Sequence, residues 1–191
     1  MKSGLKVLLV IGAIILVLVI MGVSSYNGLV TKSENVDAAW SLIDVQLQRR
    51  YDLIPNLVAT VKEYAAHEEE VFANIAEARA KLAGAGSVSE AAEADAELSG
   101  ALSRLLAIAE AYPDLKANAN FINLQDELAG TENRIATVRR DYNEAARSFN
   151  TSIRRFPSNI FAGMFGFEKA DYFEAAEGTR DNPDVGDLFG D

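Results

Sequence analysis

Hydrophobic and polar positions divide the chain into three regimes. From Val7 to Val23 every side chain is apolar or absent. From Val36 to Phe156 apolar residues recur at steps of four and three. After Phe156-Pro157 comes a dense aromatic segment, then acidic residues with Gly and Pro. The first regime predicts a helix apolar all round. The second predicts amphipathic helices with heptad seams, and the third has no long period.

The first run, VLLVIGAIILVLVIMGV, has 17 residues. A helix of that length rises roughly 26 Å, and roughly 30 Å with Ser24, Ser25 and Tyr26 as its interfacial end, close to the thickness of bilayer hydrocarbon. A helix also pairs all its own backbone groups there. Residues 1–26 are therefore expected to be a single membrane anchor, spanning from about residue 7 to 26. A cleaved signal peptide competes, because Lys2 and Lys6 make a basic n-region and Val23-Ser24-Ser25 offers small residues for cleavage. The run is longer than the usual h-region of about 7–15 residues. A buried core helix of this length is rarely apolar on every side. Without cysteine, no lipid can be attached as in a lipoprotein. Two lysines precede the run, whereas residues 27–46 carry Lys32 against Glu34, Asp37 and Asp44. That bias predicts a cytoplasmic N-terminus and a body on the outer side.

The second regime opens with Val36, Trp40, Ile43, Leu47, Ile54, Leu57, Val61 and Tyr64. Arg50 is the one slot of this seam without an apolar residue. Ser33 is the expected N-cap. Pro55 removes an N–H and crowds the Tyr51 carbonyl, so a kink is expected at 51–55 with the seam continuing in phase. A second seam runs Val71, Ile75, Ala78, Leu82, ending at Gly84-Ala85-Gly86-Ser87, where Ser87 or Ser89 can cap the next helix. A third helix, about 89–112, carries Leu98, Leu102, Leu105, Ala109 and Tyr112, and Pro113 stops it. The longest, about 117–155, reads Phe121, Leu124, Leu128, Thr131, Ile135, Val138, Tyr142, Ala145, Phe149, Ser152, Phe156. The expected fold is all-α: one N-terminal transmembrane helix, then an elongated antiparallel, up-and-down bundle of about four helices whose first long helix is kinked at proline. The expected domains are the anchor 1–26, the bundle 27–173 with an aromatic cap, and an acidic disordered tail 174–191.

Charge and composition narrow the chemistry. The 191-residue chain has a net charge of −10. Its first 26 residues hold two lysines and no acid, so the remainder carries −12. Such a general field repels nucleic acid and anionic lipid. Zero cysteines exclude disulfides, thiol catalysis and thiolate metal sites. The single histidine, His67, has Tyr64 three residues before it, where a di-iron bundle needs a glutamate, and such a site needs a second Glu-x-x-His pair. Glu63 and His67 can at most share a surface ion. Gly84-Ala85-Gly86 and Gly163-Met164-Phe165-Gly166 lack the strand, lysine and hydroxyl of a phosphate loop. No nucleophile elbow accompanies the histidine. The expectation is no catalytic residue, no cofactor and no metal.

Several blocks in fixed order resemble the LemA family. They are Tyr26-Asn27-Gly28-Leu29-Val30 after the apolar run, Val36-Asp37-Ala38-Ala39-Trp40-Ser41, and Gln48-Arg49-Arg50-Tyr51-Asp52-Leu53-Ile54-Pro55-Asn56-Leu57-Val58. Leu124-Gln125-Asp126-Glu127-Leu128, Thr131-Glu132-Asn133-Arg134-Ile135, Arg139, Tyr142-Asn143, Phe156-Pro157 and Gly166-Phe167 follow. The likeness covers residues 7–173 and implies a bacterial inner-membrane protein with a long helical bundle. It implies no reaction. Ala146 departs from the larger residue the resemblance leads one to expect, and the acidic tail matches nothing in it.

Interaction residues are then sought on the seams. Arg50 can pair with Glu127 or Glu132, beside Asn133, or it can snorkel to solvent. Asp52, Asn56 and Asn133 can instead serve carbonyls freed by Pro55. Trp40 and Tyr142 lie on facing seams. Phe156, Pro157, Phe161, Phe165 and Phe167 either close the end of the bundle or form an apolar patch for another protomer or the bilayer. Asp187-Leu188-Phe189 is a possible short docking motif. The expected function is a non-enzymatic, membrane-anchored scaffold that self-associates as a homo-oligomer and presents its bundle to unidentified partner proteins. The alternative is an adaptor or sensor holding a lipid or small ligand between helices.

Overall fold

A computed structural model describes residues 2–174, with only the backbone of Lys2. The docking motif at 187–189 and the tail beyond residue 174 lie outside the described residues. Among the described residues every regular element is an α-helix. They are α1 (Lys2–Lys62), α2 (Glu69–Gly84), α3 (Val88–Ala109), α4 (Pro113–Lys116), α5 (Ala119–Arg154) and α6 (Ser158–Phe165).

Helix α1 corrects the expected cap at Ser33. It runs 61 residues without a break, through residues 24–35 and through Pro55. Leu29 is buried seven residues ahead of Val36, so the seam begins before the expected start. The Thr31 hydroxyl donates to the Asn27 carbonyl at 2.9 Å inside the helix. Tertiary packing of that face outweighs the local capping preference of serine. One stretch of α1 is long and apolar enough to cross a membrane, and none of it is buried.

Local chemistry sets the other ends. Phe72, Ile75 and Ala78 are the buried face of α2, so Phe72 and not Val71 leads its seam. Ser87 caps α3, its hydroxyl accepting from the Glu90 N–H at 3.2 Å. The Glu90 carboxylate accepts from the Gly86 N–H at 2.7 Å, completing a capping-box exchange one residue early. Asn118 Oδ1 accepts from the N–H groups of Asn120 and Phe121 at 2.8 and 3.1 Å, which starts α5. Gly166, at φ 72°, ends α6 in the left-handed region where glycine alone is unstrained. Helix α5 ends at Arg154, so Phe156 does not extend its seam and is exposed.

The chain divides into two compact units, Met1–Ile43 with Val138–Asp171 and Asp44–Thr137 with Tyr172–Asp191. In the second, Ile54, Leu57 and Val61 of α1 pack with Phe72 and Ile75, Leu98, Leu102 and Leu105, Leu115, Phe121 and Leu128. Helices α2 and α3 form a hairpin, tied at its rim by Lys81 and Glu97 at 2.7 Å. In the first unit Leu29, Val36 and Ile43 of α1 and Tyr142, Ala146 and Phe149 of α5 are buried. Lys32 Nζ donates to Ser148 Oγ at 2.7 Å and the Trp40 ring lies 5.9 Å from that of Tyr142, so the two segments pair in opposite chain order.

Truncating a core side chain should separate packing from surface effects. Leu98→Ala, at a fully buried position, should cost about 2–5 kcal/mol. Ile122→Ala, at an exposed one, should stay within about 0.5 kcal/mol. Urea unfolding in detergent micelles, followed by far-UV circular dichroism, measures both.

Candidate functional site

Two polar arrangements stand out, one in each unit. In the second unit the heptad seams of α1 and α3 each have one charged slot. Arg50 falls between Leu47 and Ile54, and Asp95 falls between Ala91 and Leu98. The seam geometry that buries their apolar neighbours carries both charges inside. Arg50 Nη1 donates to Asp95 Oδ1 at 2.6 Å, with side chains 4% and 1% exposed. Arg50 Nη2 donates to Ser99 Oγ at 3.0 Å, and that hydroxyl donates to the Asp95 carbonyl at 2.8 Å. Glu132 of α5 brings Oε2 to 2.9 Å from Arg50 Nη1 with a side chain 45% exposed. This is an ion-pair contact without hydrogen-bond geometry, since that buried oxygen has no hydrogen-bond partner. Arg50 Nε is also buried and without a hydrogen bond. One guanidinium thus faces two carboxylates, one on a buried side chain and one on a side chain that is half exposed.

The structure brings Arg50 and Glu132 together, so Arg50 does not snorkel. Glu127 pairs with Arg49 at 2.9 Å, with both side chains half exposed. Asp52 is exposed and accepts from Gln48 at 2.9 Å. Asn56 and Asn133 are exposed, and their carbonyls accept from Thr60 and Thr137 at 2.9 and 3.0 Å. Pro55 lines a groove of about 310 Å³ with Val58, Lys62, Phe72 and Arg79. The Arg79 guanidinium lies 3.9 Å from the Tyr51 ring centroid, and the Lys62 ammonium 4.9 Å from that of Phe72. Sequence reading missed Asp95. The available signal was an acid in a seam slot, the counterpart of the base already noticed at Arg50.

In the first unit the aromatic segment folds back. The Phe161 ring stands where a side chain at Gly22 would be, 3.1 Å from an ideal Cβ there. Tyr26 meets Phe165 edge-on at 4.8 Å and Phe167 at 6.0 Å, and Phe149 meets Phe167 at 6.1 Å. The chain after α6 is strapped to α5. Asn150 donates to the Ala170 carbonyl and accepts from the Ala170 N–H, both at 2.8 Å. The Tyr142 hydroxyl donates to the Asp171 carbonyl at 2.8 Å. Burial first, then the carboxylates of Asp171 and Asp37, pushes the Tyr142 hydroxyl pKa up to about 12. Pro157 follows a cis peptide bond and leads directly into α6.

Neither arrangement has a nucleophile beside a base. Among the described residues no group of three or more His, Asp or Glu side chains can hold a metal ion. The LemA family model matches residues 39–186. The chain belongs to the LemA family. Among its relatives, magnetosome protein MamQ 2 of Paramagnetospirillum magneticum is 33% identical over 175 residues, covering 78% of this chain and 64% of the relative. Magnetosome protein MamQ of Magnetospirillum gryphiswaldense is 30% identical over 174 residues, with the same coverages of 78% and 64%. Protein LemA of Metamycoplasma hominis is 27% identical over 163 residues, covering 85% and 74%. The chain thus spans 64% of the length of the MamQ proteins. None of these names specifies a reaction.

Two outcomes follow for this LemA-family chain. Arg50→Ala and Asp95→Ala should each cost about 3–5 kcal/mol by stranding a buried charge, whereas the Arg50→Met, Asp95→Leu pair should lose less than either. Glu132→Ala should cost at most about 1 kcal/mol, and less still on the Arg50→Ala background. Thermal unfolding of the singles and doubles tests the coupling, and additive losses would disprove it. For Tyr142 the folded pKa lies above its unfolded value. Its contribution is therefore whole below about pH 10 and is lost as pH rises toward about 12. A stability curve over that window should fall, and Tyr142→Phe should flatten the fall.

Proposed function

We propose that this LemA-family protein is a non-enzymatic, membrane-anchored scaffold that self-associates and presents its helical body to partner proteins. One observation carries the reading. An apolar helix, none of whose membrane-length stretch is buried, continues without a break into the packed seam of the body. The buried charges add support from the other side, because Arg50 and Asp95 pair with each other across two helices and Arg50 also meets Glu132. On this reading residues 1–26 are the single-pass anchor in a bacterial inner membrane, with the N-terminus cytoplasmic. Residues 27–173 form an up-and-down helical bundle with coiled-coil-like seams, and 174–191 an acidic tail. Arg50, Glu127 and Glu132 set helix register in the second unit, and Trp40 and Tyr142 in the first, whereas among the described residues Asp52, Pro55, Asn56 and Asn133 make no such cross-helix bond. The surface charge disfavours nucleic acid as a partner.

Self-association has a candidate surface. Leu42 and Val45, three apart on α1, are both large, apolar and exposed outside the anchor. A second reading draws on the groove beside Pro55, whose apolar floor and two cations suit an amphiphilic anion. Its volume is at the lower end of ligand sites, roughly 300–1,000 Å³, so the scaffold is preferred.

The mass of the full-length protein in lipid nanodiscs decides between them. A discrete oligomer that Leu42→Glu with Val45→Glu dissociates supports the scaffold. A monomer whose melting temperature rises with added oleate, and fails to rise after Arg79→Ala, would replace it with the ligand-binding reading.

A further inference from the structure

Helix α6 has two unlike sides, and only one is occupied. Phe161 rests on Gly22, Ala162 is buried, and Phe165 touches Tyr26 with one edge. The other side presents Ile160, Met164 and the rest of Phe165, which are 52%, 70% and 50% exposed. Ile160 and Met164 are four apart and so share a face. The helix, SNIFAGMF, contains no charged residue. A solvated surface helix ordinarily carries polar residues opposite its packed face. This one is apolar on both.

Its position explains the exposed side. Gly22 and Tyr26 bracket the end of the apolar run, at the level where aromatic residues mark a bilayer interface. Phe161 thus holds α6 against the run at Gly22, whose chain neighbours Met21 and Val23 are themselves exposed. Immediately before α6 lie Arg154 and Arg155, both exposed, adjacent cations in a body that is otherwise strongly acidic. Apolar side chains beneath paired arginines are what an interfacial helix requires: acyl chains for the former, lipid phosphates for the latter.

We propose that α6 is a second membrane attachment, inserting its Ile160–Met164–Phe165 face at the headgroup–acyl boundary of the bilayer that the apolar run crosses, with Arg154 and Arg155 on lipid phosphates. The proposal rests on the anchor reading of residues 1–26. It goes further, because it assigns a lipid-binding surface to the body itself.

The absence of cysteine makes the test direct. Single cysteines are placed at Leu16 in the run, Met164 on the exposed face and Glu144 on the outer side of α5. Each carries a nitroxide on the full-length protein in vesicles of phosphatidylethanolamine and phosphatidylglycerol. Power saturation then compares oxygen, which partitions into lipid, with a water-soluble nickel chelate. Oxygen should dominate at 16 and 164, and nickel at 144. Oxygen at 16 with nickel at 164 would overturn the α6 assignment and leave the anchor intact. Nickel at 16 would overturn the anchor, and this proposal with it. A label at 164 shielded from both reagents and broadened by a neighbouring label would mean that a second copy covers α6, which also overturns it.

Discussion

A guanidinium cannot enter a dry core alone. Arg50 occupies a slot that the heptad pattern of α1 places inside, and removing its hydration costs several kcal/mol. Asp95 and Glu132, with Ser99, offset that cost, and each comes from a different stretch of chain than Arg50. Helix register follows from this demand. If α3 slid by one residue along α1, Asp95 would leave the reach of Arg50 while Ala94 or Ala96 took its place. Hydrophobic packing alone tolerates such slips in an alanine-rich helix, whereas a buried charge pair does not. A buried pair of this kind adds little net stability, whereas removing one partner strands the other charge.

The same economy governs the first unit with neutral groups. Residues 166–174, which follow α6, have no regular structure, so their peptide groups need partners if they lie against a helix. Asn150 satisfies both groups of Ala170, and Tyr142 satisfies the carbonyl of Asp171. An asparagine side chain is an amide and matches another amide donor to acceptor, which a carboxylate, having no donor, cannot do. Tyr142 keeps its proton because burial and two nearby carboxylates oppose a phenolate.

The helical class and the loop at 85–87 were legible because they depend on local periodicity and turn chemistry, and capping chemistry narrowed the start of α3 to Ser87 or Ser89, of which Ser87 is the cap. The apolar run was legible for the same reason. The start of the first body helix was misread, since Ser33 is a good cap by type and only the distant packing of Leu29 overrides it. Phe156 fits the seam by count but falls after the last turn of α5, where the Pro157 ring cannot continue a helix. Arg50 announced itself as an exception in its seam, yet Asp95 did not, because an isolated acid in an acid-rich segment is unremarkable until its partner is known. The strap was illegible, since nothing in Ala170-Asp171 marks it for pairing with α5.

Ala146 shows how such a contact constrains sequence without any polar signal of its own. Tyr142, Ala146 and Asn150 follow at intervals of four, so they lie one above the next on the same side of α5. The outer two hold Asp171 and Ala170, adjacent residues of the strap, and the middle one is fully buried. Two consecutive peptide groups can reach both side chains only if the chain passes close over the position between them. A long side chain at 146 would occupy that path and lift the strap off its partners. A small side chain at 146 suits that path, and Ala146 is fully buried there.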